Sequence, residues 1–241
     1  MNKKNILLSG FGLLPFGVIA AQTDKPNVII IMADDIGYSD IEWLQDLPAV
    51  NTPHVKKLAD ESIRFSNAHA TSATSTPSRY GLLTGMYPWR KQGTGIAAGD
   101  AAMIIRPEQY TMADMFQSAG YTTAAVGKWH LGIGAEAGKQ NWNGEISPAL
   151  KDIGFDYSFI MAATADRVPC VFIENGKAVN LDPSDSIQVS YTQNFEGEPT
   201  GKDNPELLRL HPSHGHDMTI VDGISRIGFM KGGHSARWHD E

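Results

Sequence analysis

The sequence predicts an α/β protein with a mostly parallel central sheet flanked by helices. Two apolar runs predict the sheet, residues 27–32 (Asn-Val-Ile-Ile-Ile-Met) and residues 121–126. Near-continuous apolar runs of this length read as strands buried on both faces, as in a parallel sheet. The third observation is that helical patterns alternate with these runs, which is the order expected of an α/β domain.

The elements follow in chain order. Lys3 and Lys4, an apolar stretch over 6–19 and then Ala20 and Ala21 have the layout of a secretory signal peptide over residues 1–21. That stretch is short and rich in Gly and Pro, and no later segment has the roughly 18 consecutive apolar residues of a span. The expectation is a mature chain of residues 22–241 that is exported, periplasmic or secreted, with no membrane span after cleavage. After the 27–32 strand, Thr52 and Pro53 have the chemistry of an N-cap and a first helical residue. Val55, Leu58 and Ala59 carry that helix to about Ser62, and residues 63–69 alternate as a strand does. Thr111 caps a second helix with Met112, Met115 and Phe116 on its apolar side, and Gly120 closes it. Farther on, Asn175-Gly176 between two short apolar runs predicts a β-hairpin. Residues 184–212 are polar and turn-rich, and read as a long loop of the kind that borders active sites.

Composition narrows the function. Of 241 residues, 41% are hydrophobic and 20% charged, which excludes wholesale disorder. The formal charge is -7, and loss of Lys3 and Lys4 with the leader makes it more negative still. A general nucleic-acid binder has the opposite footprint, so no nucleic-acid partner is expected. The single cysteine, Cys170, excludes an intramolecular disulfide and any Cys-rich zinc site; its apolar surroundings read as core.

Three features carry chemistry. Asp34 and Asp35 follow the first strand, and ligands of parallel sheets bind at the carboxyl ends of strands. Paired carboxylates suit a hard divalent cation, although an acidic pair before Gly37 is equally a turn. The second feature is Ser75-Thr76-Pro77-Ser78-Arg79. With Pro77 starting a helix, Ser75 stands just before a helix N-terminus, where an anion is favoured, and Arg79 lies one turn in. A capped helix without function reads the same way. The third is Gly127-Lys128-Trp129-His130, at another strand's carboxyl end. There Lys128 can bind an anion and His130 can move a proton; the alternative is a solvated loop. Convergence of all three on one sheet edge is what raises them together.

These motifs resemble the type I, formylglycine-dependent sulfatases of the alkaline-phosphatase-like superfamily. The first signature of that family stands here as Ser75 to Arg79 followed by Leu83-Thr84-Gly85, and the second as Gly120-Tyr121-Thr122-Thr123 with Gly127 to His130. The resemblance implies that Ser75 is oxidised to formylglycine by an anaerobic sulfatase-maturating enzyme. It implies that Asp34, Asp35 and residue 75 bind calcium, that Arg79 stabilises the modified residue, that Lys128 contacts it and the sulfate, and that His130 takes a proton from the aldehyde hydrate. The implied activity is hydrolysis of a sulfuric ester on a sulfated carbohydrate or an aryl sulfate.

The family's later segment supplies an Asp-Asn pair to the metal, a second lysine and an acid histidine. Nothing here matches it, since Asp203-Asn204 precedes Pro205 in the polar loop. The expectation is therefore an incomplete N-terminal portion of such a domain, with little activity alone. Two alternatives stay open. One is a phosphatase or phosphodiesterase of the same superfamily using unmodified Ser75 or Thr76, and the other is a truncated, non-catalytic carbohydrate-binding remnant. His211, His214, His216, His234 and His239 read as surface or pocket residues rather than a metal site, and Arg167 beside Asp166 as an ion pair or a sugar contact.

Overall fold

The computed structural model describes residues 25–37, 40–41 and 50–238, in two compact units divided after Ser62. The expected signal peptide and His239 lie outside the described residues.

In the first unit, helix α1 (Pro53–Asp60) begins on the expected proline and carries a Lys56–Asp60 ion pair one turn apart. Residues 27–32 do not form the expected strand. They have no regular secondary structure and no β partner among the described residues, and Ile29 and Ile31 are 83% and 82% exposed. A strand is defined by its ladder, and an apolar run without one is not a strand whatever its composition.

The second unit begins at Ile63. Residues 63–69, expected as a strand, are irregular, with Ile63 and Phe65 exposed. Helix α2 (Ser75–Thr84) follows, and it starts earlier than Pro77 predicts. Ser78 N–H already donates to the Thr74 carbonyl, so Ser75 belongs to the first turn rather than preceding it. Gly85, in the left-handed conformation at φ 65°, ends the helix by donating its N–H to the Gly81 carbonyl.

Helix α3 (Met112–Ser118) has the expected Thr111 cap as a full capping box with Asp114. The same Thr111 hydroxyl donates to the Ile153 carbonyl at 2.8 Å, tying the helix start to the core. Gly120, at φ 80°, turns the chain into strand β1 (Ala124–Lys128). Tyr121 and Thr123 serve that turn: Tyr121 meets the Phe116 ring edge-on, and Thr123 donates its N–H to Asp156 and its hydroxyl to the Gly154 carbonyl.

The α/β class is as expected, and among the described residues the main sheet is mixed, with one parallel pair. β1 pairs in parallel with β2 (Tyr157–Met161), which pairs antiparallel with β3 (Phe172–Glu174), and β3 with β4 (Lys177–Ala178). The expected hairpin is the β3–β4 turn, with Asn175 at φ 47° and Gly176 at φ 84°. β1 begins three residues later than residues 121–126 predict, and among the described residues it lies at the edge of the sheet rather than buried on both faces, with Val126 74% exposed. The polar 184–212 segment is not all loop: β5 (Gln188–Ser190) lies in it and pairs with β8 (Phe229–Lys231), while β6 (Ile220–Val221) and β7 (Ile224–Ser225) form a small hairpin farther on.

The core of this unit joins Tyr80 of α2 to Leu131, Ile133, Leu150, Ile153, Ile160 and Ile173. Cys170 is fully buried in it, and burial pushes its thiol up to about 12, which agrees with a packing role. Among the described residues no helix is long and apolar enough to cross a membrane.

Gly81 lets α2 sit close to Thr71: a Cβ built there lies 2.3 Å from Thr71 Oγ1. Gly81→Ala is expected to destabilise the protein by about 1–3 kcal/mol through this overlap. Thr71→Ala in the same chain is expected to restore most of the loss, measured as urea midpoints in a double-mutant cycle.

Candidate active site

The site is built where α2 starts and β1 ends. α2 presents Ser75 and Arg79 one turn apart, and the chain leaving β1 presents Lys128 and His130. The two segments are joined through main chain as well as side chains. Arg79 Nη1 donates to the Lys128 carbonyl at 2.8 Å, and its Nε donates to Ser75 Oγ at 3.0 Å. On the other side of that oxygen stands His130 Nδ1, also at 3.0 Å. One oxygen, partly open to solvent, therefore has a guanidinium donor and an imidazole nitrogen as neighbours.

The tautomer of His130 follows from its second contact. His130 Nε2 lies 2.9 Å from the Ala97 carbonyl oxygen, which can only accept. The ring proton is therefore on Nε2, and the Nδ1 lone pair faces Ser75. The imidazole is 2% exposed, and burial first of all lowers its pKa from 6.5 to about 4. The positive charges of Lys128, Arg167 and Arg79 push the same way, while the Ala97 carbonyl opposes them. Near neutral pH the ring is uncharged and free to accept a proton from its neighbour.

His130 also departs from ordinary backbone geometry. Its φ is 57°, a left-handed conformation uncommon outside glycine. The peptide is held there by His130 N–H donating to the Ala162 carbonyl and by the Thr76 hydroxyl donating to the His130 carbonyl at 2.8 Å. Trp129, between the two site residues, is core: its indole N–H donates to the Gly132 carbonyl at 2.7 Å.

Four of the expected residues, Ser75, Arg79, Lys128 and His130, thus come together in the second unit. Asp34 and Asp35 belong to the first unit. Among the described residues there is no group of three or more His, Cys, Asp or Glu side chains placed to hold a metal. The aspartate carboxylates are hard oxygen donors of the kind a divalent cation takes, and they fit in kind while leaving its other positions to further oxygens. Thr76, the alternative nucleophile, is fully buried, and its hydroxyl is committed to the His130 carbonyl and the Ala97 N–H. That excludes it.

Two residues of the neighbourhood escape sequence reasoning. Ala97 fixes the tautomer through a carbonyl that any residue possesses. Tyr191 lies in the segment expected as loop; it donates to the Val168 carbonyl at 2.6 Å and accepts from Gly99 N–H at 2.9 Å, so it clamps the loop that carries Ala97. Arg167 pairs with Asp166 at 3.1 Å, and its charge also reaches His130. Among the late histidines, His216 meets Asp166 at 2.8 Å and His234 meets Asp185 at 2.9 Å, each as one side of a pair.

Comparison with known proteins adds a family. The sequence model described as Sulfatase matches residues 26–222. An N-acetylgalactosamine-6-O-sulfatase of Bacteroides thetaiotaomicron is 55% identical over 219 residues, 91% of this chain and 42% of that protein. An arylsulfatase of Klebsiella aerogenes is 31% identical over 90% of this chain and 48% of its own length. The chain thus spans about half the length of these curated relatives or less. A solved structure connected with the metabolism of multiple glycosaminoglycans by Bacteroides thetaiotaomicron superposes with a TM-score of 0.86 at 54% identity, covering 91% of this chain and 45% of its own.

The pKa of His130 makes stability depend on pH. Its folded value lies below its unfolded value, so the unfolded chain binds this proton first. The contribution is complete above pH 6.5 and is lost as pH falls toward 4. Urea midpoints on either side of this window are expected to differ by an amount that includes about 3 kcal/mol from this group. His130→Asn is expected to remove that part of the acid dependence.

Proposed function

Because the chain belongs to the sulfatase family, we propose that its site hydrolyses sulfuric esters of carbohydrates, with Ser75 converted to formylglycine as the reacting residue. The observation that carries the reading is the environment of Ser75 Oγ, held 3.0 Å from Arg79 Nε and 3.0 Å from an unprotonated His130 Nδ1. An oxygen so placed is favoured as an anion by the guanidinium and can lose its proton to the imidazole. The names of the relatives support a sulfated sugar, and a 6-sulfated amino sugar is the first substrate to test.

The donor and acceptor flanking residue 75 fit an aldehyde hydrate, which has hydroxyls to meet both. Such a hydrate would supply a nucleophilic oxygen with a second hydroxyl on the same carbon, and calcium would supply positive charge for the sulfate oxygens. By the resemblance to the family, Asp34 and Asp35 would supply carboxylate oxygens to that ion. Arg79 orients the oxygen of residue 75 while its other nitrogen grips the end of β1. His130 takes a proton at Nδ1 and keeps its own on Nε2 against Ala97. Lys128, at the end of β1, contributes positive charge for an anionic substrate, and that charge helps keep the neighbouring imidazole neutral. An acidic chain that binds a polyanion must concentrate its cations locally, and Arg79, Lys128 and Arg167 all bear on His130.

The reading extends to the surroundings of the reaction. Residues 1–21 act as a signal peptide, residues 22–241 belong to the catalytic domain, and the protein works after export, in the periplasm or outside the cell. Its partners are a sulfated carbohydrate and an anaerobic sulfatase-maturating enzyme. The leader's charged start and apolar stretch support the first point, and a serine rather than a cysteine at position 75 supports the second.

The test is the mass of tryptic peptide 65–79 from protein produced anaerobically with a maturating enzyme. Conversion is expected to make the peptide lighter by two hydrogen atoms. An unconverted peptide in a preparation that still releases sulfate would overturn the proposal, and an unconverted peptide with phosphoester turnover would return the site to a phosphatase. Calcium is expected to raise the thermal midpoint of the matured protein, and Asp34→Asn with Asp35→Asn is expected to abolish that shift.

A further inference from the structure

The hydroxyl of Thr76 joins two main-chain groups on which His130 depends. It donates to the His130 carbonyl at 2.8 Å and accepts from the Ala97 N–H at 3.1 Å. The Ala97 carbonyl in turn receives the His130 Nε2 proton at 2.9 Å. These bonds close a ring from the side chain of residue 76, through Ala97, through the imidazole, and back through the backbone of residue 130. Thr76 is fully buried, and the peptide that it holds has the left-handed φ of 57° at a non-glycine residue. A conformation of that kind is disfavoured for a residue with a Cβ and persists when neighbouring groups hold it.

We infer that Thr76 is a positioning residue, whose hydroxyl keeps the Ala97 carbonyl on His130 Nε2 and so keeps the Nδ1 lone pair aimed at the oxygen of residue 75. The inference rests on the sulfatase reading, in which His130 is the proton acceptor. Neutral imidazole has two tautomers of similar intrinsic energy, and the hydrogen bond at one nitrogen selects which is present. With Nδ1 protonated the ring could still bond to residue 75, but as a donor, and it could not take the proton. A valine has nearly the shape of threonine and lacks the bond to either backbone group. A serine keeps both bonds and loses only a methyl. The two substitutions therefore separate the hydroxyl from the packing.

The tautomer is read directly by long-range 1H–15N correlation of the His130 imidazole in the full chain, at a pH of about 7.5, where an ordinary histidine is already neutral. Wild type and Thr76→Ser are expected to carry the proton on Nε2. Thr76→Val is expected to lower the ratio of the Nε2–H to the Nδ1–H form by about tenfold, the scale of one buried hydrogen bond. A wild-type tautomer retained in Thr76→Val, or lost in Thr76→Ser, overturns the inference. If Thr76→Val does not fold, Thr76→Ala removes the same hydroxyl and is read by the same criterion. If neither folds, the serine variant decides alone, since the wild-type tautomer in it supports the hydroxyl and its loss overturns it. The mass of peptide 65–79 is measured on the same preparations. An unconverted residue 75 in protein that still releases sulfate sinks the sulfatase reading and leaves the tautomer result standing, because the serine hydroxyl itself occupies the Nδ1 side.

Discussion

The oxygen at residue 75 sits between a positive charge and a neutral base, and the neutrality of that base governs the site. An imidazolium facing Ser75 could only donate. Burial and three nearby cations prevent it by lowering the His130 pKa to about 4. The cations suited to an anionic substrate are thus the same groups that keep the proton acceptor uncharged. In this way electrostatic recognition and the neutrality of the base come from one arrangement of charge.

That arrangement depends on secondary-structure ends rather than on loops alone. α2 delivers Ser75 and Arg79 on successive turns because helical residues four apart share a face. β1 delivers Lys128 at its last residue, and the left-handed backbone at His130 turns the imidazole back toward α2. Arg79 fastens the two ends by donating to a backbone carbonyl, a contact that does not change if neighbouring side chains do. The core residues Tyr80 and Trp129, each adjacent in sequence to a site residue, anchor both segments in the packed interior.

The signature residues divide between chemistry and geometry. Ser75, Arg79 and His130 face one another. Ser78 donates to the Ser72 carbonyl at 2.6 Å, Gly85 ends the helix, Gly120 ends the next one, and Thr123 binds Asp156. Trp129 fills the core. A motif that looks like a list of reactive groups is therefore largely a list of restraints that aim a few of them.

The capped α3, the Asn175-Gly176 hairpin and the buried Cys170 were legible from the residues alone, whereas Ser75, Arg79, Lys128 and His130 each read equally as a capped helix or a solvated loop until their motifs were taken together. For the first three the cause is local: a side chain beside its own backbone, a turn that needs positive φ, or an apolar side chain in an apolar run. The strands were less legible. Among the described residues, 27–32 and 63–69 have strand composition and no ladder, β1 lies at the edge of its sheet, and the sheet is mixed. Whether an apolar run becomes a strand depends on which distant segment pairs with it, and short-range pattern does not encode the partner. The sequence by itself determined which side chains can bind an anion, carry a metal or move a proton. Only the tertiary structure decided that His130 is neutral and that its proton is on Nε2, because those properties arise from burial and from the Ala97 carbonyl brought against the ring across more than thirty residues of chain.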